Sequence, residues 1–280
     1  MTAVHTVAVG DTPFAVHSCG SGIPLLLLHA FPLDHGMWEA QEQLAESVRI
    51  IAPDQRGFGG TPGQPPIGSV AEMADDAVAL LDALHVVEPA FVCGVSMGGY
   101  VAQHVAVRHP DRVRGLILCD TKLDADTPEA RSGRASLAAK VGRLGAGILA
   151  ETMLGTLLAQ SETARTQPRR PAIEELLRQT IARQPVATIQ AALAAMGNRA
   201  DMTEAMRSLA VPTLLIVGKE DTFTPPAIMQ RMEEVLPDAR LLIVPHAGHL
   251  VPLEAPEVFN AAVLEFLHAV VGRDAAAPGR

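Results

Sequence analysis

The stretch Ala90-Phe91-Val92-Cys93-Gly94-Val95-Ser96-Met97-Gly98-Gly99-Tyr100-Val101-Ala102 decides how the chain is read. Residues 90–95 are apolar without alternation, as in a strand covered on both faces. Residues 97–108 carry a helical pattern that Pro110 stops. At the join lies Gly94-Val95-Ser96-Met97-Gly98, a G-x-S-x-G string. A serine on a sharp strand-to-helix turn stands above the sheet, and flanking glycines leave room where side chains would clash. The helix start directs free N–H groups to the same point, where an oxyanion would form. The bland reading is a glycine-rich turn, and the strand before and helix after it argue for a nucleophile instead.

A serine hydroxyl needs a base and an orienting acid. Downstream, the strand-like run Pro212–Val217 leads into Gly218-Lys219-Glu220-Asp221, and Leu241–Val244 leads into Pro245-His246-Ala247-Gly248-His249. Loops at the carboxyl ends of parallel strands are where such sheets place their sites. The order Ser96, Asp221, His249 is the nucleophile–acid–base order of one hydrolase architecture. Each position has a rival. His246 competes with His249 as the base, and Asp120, also at a strand end, competes with Asp221, as does the adjacent Glu220. Spacing and loop context favour Asp221.

Outward from these loops, both ends of the chain alternate strand and helix. Further strand-like runs are Thr6–Val9, Phe14–His17, Pro24–His29, Arg49–Ala52 and Val113–Cys119. A capping box, Ser69-Val70-Ala71-Glu72, opens a helix to about Leu84, and other helices are expected at Pro226–Val235 and Ala255–Val270. This alternation predicts a doubly wound α/β sheet. The middle differs, with helix signals and no convincing strand. Pro128 and Pro171 look like first-turn prolines, Pro185 starts a helix ending near Gly197, and Asp201-Met202-Thr203-Glu204 reads as a capping box. The expected division is a discontinuous core of residues 1–120 and 210–272, an all-helical cap of residues 121–209, and a tail of residues 273–280.

The motifs together resemble the α/β-hydrolase superfamily. Gly94–Gly99 is similar to its nucleophile elbow, and Leu27-Leu28-His29-Ala30-Phe31-Pro32 to its oxyanion loop, usually written H-G-x-P. Asp54-Gln55-Arg56-Gly57-Phe58-Gly59-Gly60-Thr61 resembles its D-x-R-G-x-G-x-S/T turn. Gly218–Asp221 and Ala247-Gly248-His249, with Glu254-Ala255-Pro256 beyond, resemble its acid and histidine loops. The likeness covers residues 1–120 and 210–271, and is nearest to small bacterial serine esterases, cofactor-free perhydrolases and 3-oxoadipate enol-lactonases. It implies a mostly parallel eight-stranded sheet flanked by helices with an inserted helical cap. It also implies a Ser96, His249, Asp221 triad, an oxyanion hole from the backbone N–H groups of Phe31 and Met97, carboxylic esters as substrates, and no cofactor. Ala30 departs from the family's usual glycine but keeps the Phe31 amide. Serine at position 96 sets the chain apart from haloalkane dehalogenases and epoxide hydrolases, which resemble the fold but use aspartate at the elbow.

Composition narrows the functions further. The 280 residues are 48% hydrophobic and carry a net charge of -9, with nine aromatic residues among them. Disorder and nucleic-acid binding are disfavoured, the latter because both a cationic footprint and stacking platforms are missing. Three cysteines fit a reducing compartment. There is no signal-peptide pattern and no apolar run of membrane-spanning length, so a soluble cytoplasmic protein with no membrane partner is expected, compatible with a homo-oligomer. No H-E-x-x-H is present, and no metal site is expected. Residues 121–210 contain no Phe, Trp or Tyr and hold twelve Lys and Arg against nine Asp and Glu. A cap wall built there would be aliphatic and suit small neutral esters. A lactone bearing a carboxylate would require an inward-facing arginine such as Arg131, Arg134, Arg169 or Arg170, whose default is a solvated surface. A ligand receptor on a hydrolase fold is the competing non-enzymatic reading.

Overall fold

The computed structural model describes residues 4–276. Among them, eight strands form one sheet in the order β1-β2-β4-β3-β5-β6-β7-β8. These are β1 (Val4–Val9), β2 (Thr12–Cys19), β3 (Ile23–Leu28), β4 (Val48–Pro53), β5 (Ala90–Val95), β6 (Val113–Cys119), β7 (Thr213–Gly218) and β8 (Ala239–Val244). β2 runs antiparallel to β1 and β4, and the other pairings are parallel. The family's mostly parallel sheet is therefore present, and β5 and β6 have the bounds expected from their unbroken apolar runs.

Helices cover both faces, which is why the central strands carry no polar alternation. Leu25–Leu28, on β3, are fully buried. Each contributes about 1.5–3 kcal/mol as an upper estimate. The helices are α1 (Val70–Ala83), α2 (Met97–Arg108), α3 (Pro128–Leu144), α4 (Gly147–Leu157), α5 (Glu162–Arg165), α6 (Arg170–Arg183), α7 (Val186–Gly197), α8 (Thr203–Arg207), α9 (Pro226–Val235), α10 (Val251–Glu254) and α11 (Pro256–Ala276). A 3₁₀ helix, His35–Glu46, buries Met37, Trp38, Gln41 and Leu44. Trp38 packs on Phe259 of α11 (6.1 Å between ring centroids), and the Gln41 amide donates to the Asn260 side-chain oxygen (3.2 Å).

Local chemistry explains most helix starts. The Ser69 hydroxyl accepts from the Glu72 N–H, and the Glu72 carboxylate turns to the Gly68 N–H. Thr127 caps α3 with Pro128 at its first position. The expected capping box at Asp201 is a correction. Asp201 accepts from the Thr203 N–H two residues on, an Asx turn, so α8 begins at Thr203. A second correction concerns the C-terminus. The helix expected at Ala255–Val270 is present as α11, preceded by the short α10, but α11 runs on through residues 273–276 of the expected tail. Ion pairs hold that end, Arg273 to Asp238 (2.7 Å) and Asp274 to Arg114 (2.9 Å). Residues 1–3 and 277–280 lie outside the described residues.

Helices α3–α8 all fall between β6 and β7, where the sequence lacks strand signals. α3 packs on α7 and α4 on α6. No helix among the described residues is long and apolar enough to cross a membrane.

Candidate active site

Ser96 follows β5 and precedes α2 with φ 53° and ψ −111°. A non-glycine residue there stores on the order of 1–3 kcal/mol, so the surroundings must impose it. They do so through backbone ties. The Ser96 N–H donates to the Cys119 carbonyl (3.0 Å), and the Ser96 carbonyl accepts from the Thr121 hydroxyl (3.0 Å) and the Tyr100 N–H (3.2 Å). The glycines permit close approach. A Cβ on Gly94 would fall onto the Gly98 carbonyl, and a Cβ on Gly98 onto the Leu28 carbonyl. Gly98→Ala is therefore expected to cost about 3 kcal/mol, the upper end of overpacking. An unchanged urea midpoint would contradict this account of the elbow.

His249 follows β8 and Asp221 follows β7, so both reach the same sheet edge as Ser96. The distance between His249 Nε2 and Ser96 Oγ is 2.8 Å, and between His249 Nδ1 and Asp221 Oδ2 also 2.8 Å. An ionised carboxylate only accepts, so Nδ1 carries the proton and Nε2 is left to accept from the serine hydroxyl. Burial, the largest single influence, works against ionisation of both partners. The mutual charge and hydrogen bonds of the pair outweigh it, so Asp221 lies below its usual range and His249 above.

Asp221 is held by residues that sequence reasoning did not single out. Its Oδ1 accepts from the N–H groups of Phe223 (2.8 Å) and Thr224 (3.0 Å), and Oδ2 accepts from the Thr224 hydroxyl (2.5 Å). Asp-x-x-Thr before two prolines is a turn signal that could have pointed to Thr224. The Phe223 ring lies 4.9 Å from the imidazole.

The rival residues are placed elsewhere. His246 is half-exposed and stands 4.0 Å from Glu220. Glu220 accepts from the Ser161 hydroxyl (2.6 Å) and the N–H groups of Gln160 and Ser161. Asp120 is buried and accepts from the Gly218 and Val251 N–H groups and the Cys119 thiol. Burial first, then the charge of Asp221, push Asp120 up to about 7. Glu254 bridges two N–H groups, those of Ala159 and Gly248 (both 2.7 Å), and burial pushes it up to about 7 as well. With the His249 N–H on the Leu157 carbonyl (2.8 Å), these contacts strap residues 157–161 across the histidine loop. Arg170, expected on a solvated surface, braces the strap by donating to the Ala159 carbonyl (2.6 Å).

Phe31 follows β3, beside β5. Among the described residues, neither the Phe31 N–H nor the Met97 N–H has a protein hydrogen-bond partner. Ala30 is fully buried, its methyl absorbed by the core and its N–H directed to the Met37 sulfur (3.3 Å).

Ser96, His249 and Phe31 open on a cavity of 370 Å³. The expectation of a purely aliphatic wall is corrected here. Leu137, Met153, Leu157, Leu193 and Met196 do line it, but so do Lys122 and Arg134, and Phe31, Tyr100 and Phe223 add aromatic surface from outside residues 121–209. Of the four arginines weighed, only Arg134 lines this cavity. Arg131 donates to the Gly197 carbonyl and Arg169 to Glu257.

One group among the described residues could hold a metal ion: Asp34, His35 and Asp54, with ligand atoms within 4.8 Å of one another. None lines the cavity, and the atoms are already engaged. Asp34 accepts from Arg183 (2.6 Å), and Asp54 accepts from His35 (2.7 Å) and the Gly60 N–H (2.7 Å). The cluster braces the turn at residues 54–61, where Arg56 pairs with Asp76.

The family model described as alpha/beta hydrolase fold matches residues 23–256. A pimeloyl-(acyl-carrier protein) methyl ester esterase of Chromobacterium violaceum is 32% identical over 259 residues, covering 90% of this chain and 97% of that protein. Among solved structures, a thermophilic esterase from Thermogutta terrifontis is similar at a TM-score of 0.88 and 39% identity, over 95% of this chain and 97% of that one. The enol-lactonase from Burkholderia xenovorans is similar at 0.84 and 25% identity, over 94% and 99%.

Proposed function

The chain belongs to the α/β-hydrolase fold family, and from that premise we propose that it hydrolyses small carboxylic esters through an acyl-enzyme on Ser96. The observation that carries this reading is the pair of 2.8 Å contacts joining Asp221, His249 and Ser96 at the mouth of a cavity. In this reading Ser96 Oγ attacks the carbonyl carbon while His249 Nε2 takes its proton. Asp221 keeps the imidazole in the useful tautomer and stabilises its cation. The Phe31 and Met97 amides receive the oxyanion. The carbon–oxygen bond breaks, and the alcohol departs with the proton from His249. Water then repeats the sequence on the acyl group and restores the serine.

Residues 121–209 act in this reading as a cap that walls the cavity and, through residues 157–161, holds the histidine loop. A lactone is the same bond closed into a ring, so lactone hydrolysis needs no further residue. A peracid would form by the same route with hydrogen peroxide in place of water.

The test is a panel of short-chain esters and lactones, combined with mass spectrometry of fluorophosphonate-treated protein. Turnover well beyond one equivalent, with the label on Ser96, is expected. A stoichiometric burst alone would overturn the reading in favour of a receptor on a hydrolase fold, and a label elsewhere would overturn Ser96 as the nucleophile.

The base must be neutral to act, and His249 is raised above the ordinary imidazole value of 6.5. The kcat/KM profile should therefore rise with pH along an acid limb centred above 6.5. Asp120 and Glu254 both ionise near 7 and add negative charge beside the imidazolium, so the limb should be broader than a single titration. A limb centred well below 6.5 would contradict the assignment of His249 as base.

A further inference from the structure

The cavity wall carries an uneven set of charges. Asp126 is buried and sits among three cations: Arg199 at 2.6 Å, Arg134 at 2.5 Å and Lys122 at 3.5 Å. One carboxylate among three cations leaves a formal surplus of two positive charges. The carboxyl is pulled down to about 2: burial, the largest influence, opposes this, and the Arg134 and Arg199 hydrogen bonds and charges override it. Asp126 therefore remains an anion at any pH where an esterase would be assayed, and the surplus does not grow by its protonation.

The three cations are not equivalent. Arg199 is buried, lies 4.0 Å over the Tyr100 ring, and spends its terminal nitrogens on Asp126 and on the Met196 and Asp124 carbonyls. It accounts for the Asp126 charge and pins residues 124–126 to the end of α7. Arg134 and Lys122 are then left over. Both line the cavity and are partly exposed to it. Arg134 turns Nη1 toward the Met196 sulfur (3.6 Å), a weak acceptor. Lys122 has only the 3.5 Å contact with Asp126 among the described residues. Cations that exist only to hold a fold are satisfied by their partners, whereas these two have donors beyond those engaged by Asp126 and line a concave space walled by Leu and Met.

Their place relative to the serine sets what they could bind. Tyr100 stands one helical turn after Ser96 on α2, about 6 Å along the helix axis. Its ring lies beneath Arg199, and it lines the same cavity as Arg134 and Lys122. Lys122 follows Thr121, whose hydroxyl holds the Ser96 carbonyl. The cationic patch and the nucleophile thus share one cavity, with Leu and Met side chains in its wall.

We propose that Lys122 and Arg134 form an anion subsite that receives a carboxylate on the substrate, so that the preferred substrates are esters or lactones of short dicarboxylic acids with one carboxylate free. The proposal rests on the ester-hydrolase reading above and revises the expected preference for neutral esters. The aliphatic wall takes the intervening methylenes. Lys122 and Arg134 meet the far carboxylate in a partly dry pocket, where a charge-assisted hydrogen bond outweighs its counterpart in water.

The test compares matched probes: monomethyl succinate, glutarate and adipate against methyl butyrate, pentanoate and hexanoate. In wild type the best hemiester should exceed its neutral partner in kcat/KM by roughly 10- to 100-fold, the range for a hydrogen bond to a charged group. That ratio should shrink as salt rises. Lys122→Met and Arg134→Met should each cut the ratio about tenfold or more, and Lys122→Arg should restore much of it. Binding is read independently by calorimetry on Ser96→Ala protein, which should bind monomethyl glutarate more tightly than methyl pentanoate. Turnover of neutral esters with a ratio of one or less, or a ratio blind to salt and to both variants, overturns the subsite and leaves the hydrolase standing. Hemiester binding to the Ser96→Ala protein without turnover by wild type supports the subsite and overturns the hydrolase. If a methionine variant fails to fold, the salt dependence and the calorimetric comparison decide alone.

Discussion

Ser96→Ala is expected to lower kcat by about 10⁶, the effect of removing the nucleophile from an intact triad in a reference serine hydrolase. Fluorophosphonate labelling should vanish with it. The change should leave the fold intact, because the backbone ties of Ser96 to Cys119, Thr121 and Tyr100 use its N–H and carbonyl rather than its hydroxyl. Circular dichroism and the urea midpoint check that point. His249→Ala should be equally damaging, since an unassisted hydroxyl is a poor nucleophile. His246→Ala should be mild, because that side chain is half-exposed and lies against Glu220. Near-wild-type turnover in Ser96→Ala would remove the proposed mechanism altogether.

Asp221→Asn should lower kcat by roughly 10⁴, and the structure supplies the reason. Oδ1 accepts two N–H groups, from Phe223 and Thr224, so the amide oxygen of an asparagine must take that side. The NH₂ group is then turned toward His249 Nδ1. It can only donate, which drives the imidazole proton to Nε2 and blocks acceptance from Ser96. Asp120→Asn should cost far less in kcat, because Asp120 makes no hydrogen bond to His249 and acts on it through charge. That variant should instead move the acid limb of kcat/KM to lower pH, since one of the negative charges raising His249 is gone. A larger kcat loss in Asp120→Asn than in Asp221→Asn would reverse the assignment of the orienting acid.

The legible parts of the fold share one property: their signal lies in adjacent residues. β5 and β6 are unbroken apolar runs bounded by turns, and α2 and α9 are bounded by proline or by the strained turn at Ser96. Where the signal was weaker, the structure departs. Asp201 had the spacing of a capping box, but its oxygen is nearer the N–H two residues on. α11 continues into the expected tail because Arg273 and Asp274 find partners 35 and 160 residues away, which no local pattern encodes. α4 has no side-chain cap, so it carried no sharp start.

The sequence alone determined that the chain is an α/β protein with a serine on a strand-to-helix turn, and that an acid and a histidine follow later strands. Those features depend on strand ends, and every parallel strand end in such a sheet points the same way. Their side chains had few other places to meet. Only the tertiary structure decided which histidine and which acid face Ser96, and what charge lines the pocket. Lys122, Asp126, Arg134 and Arg199 come from the end of β6, the approach to α3, α3 itself and the end of α7, and Tyr100 from α2. In sequence each is an ordinary solvated charge or a core aromatic. Which face of α3 and α7 turns inward is set by how those helices pack on one another, a long-range event that no local window contains. That packing leaves two cations with a single shared carboxylate beside the proposed nucleophile.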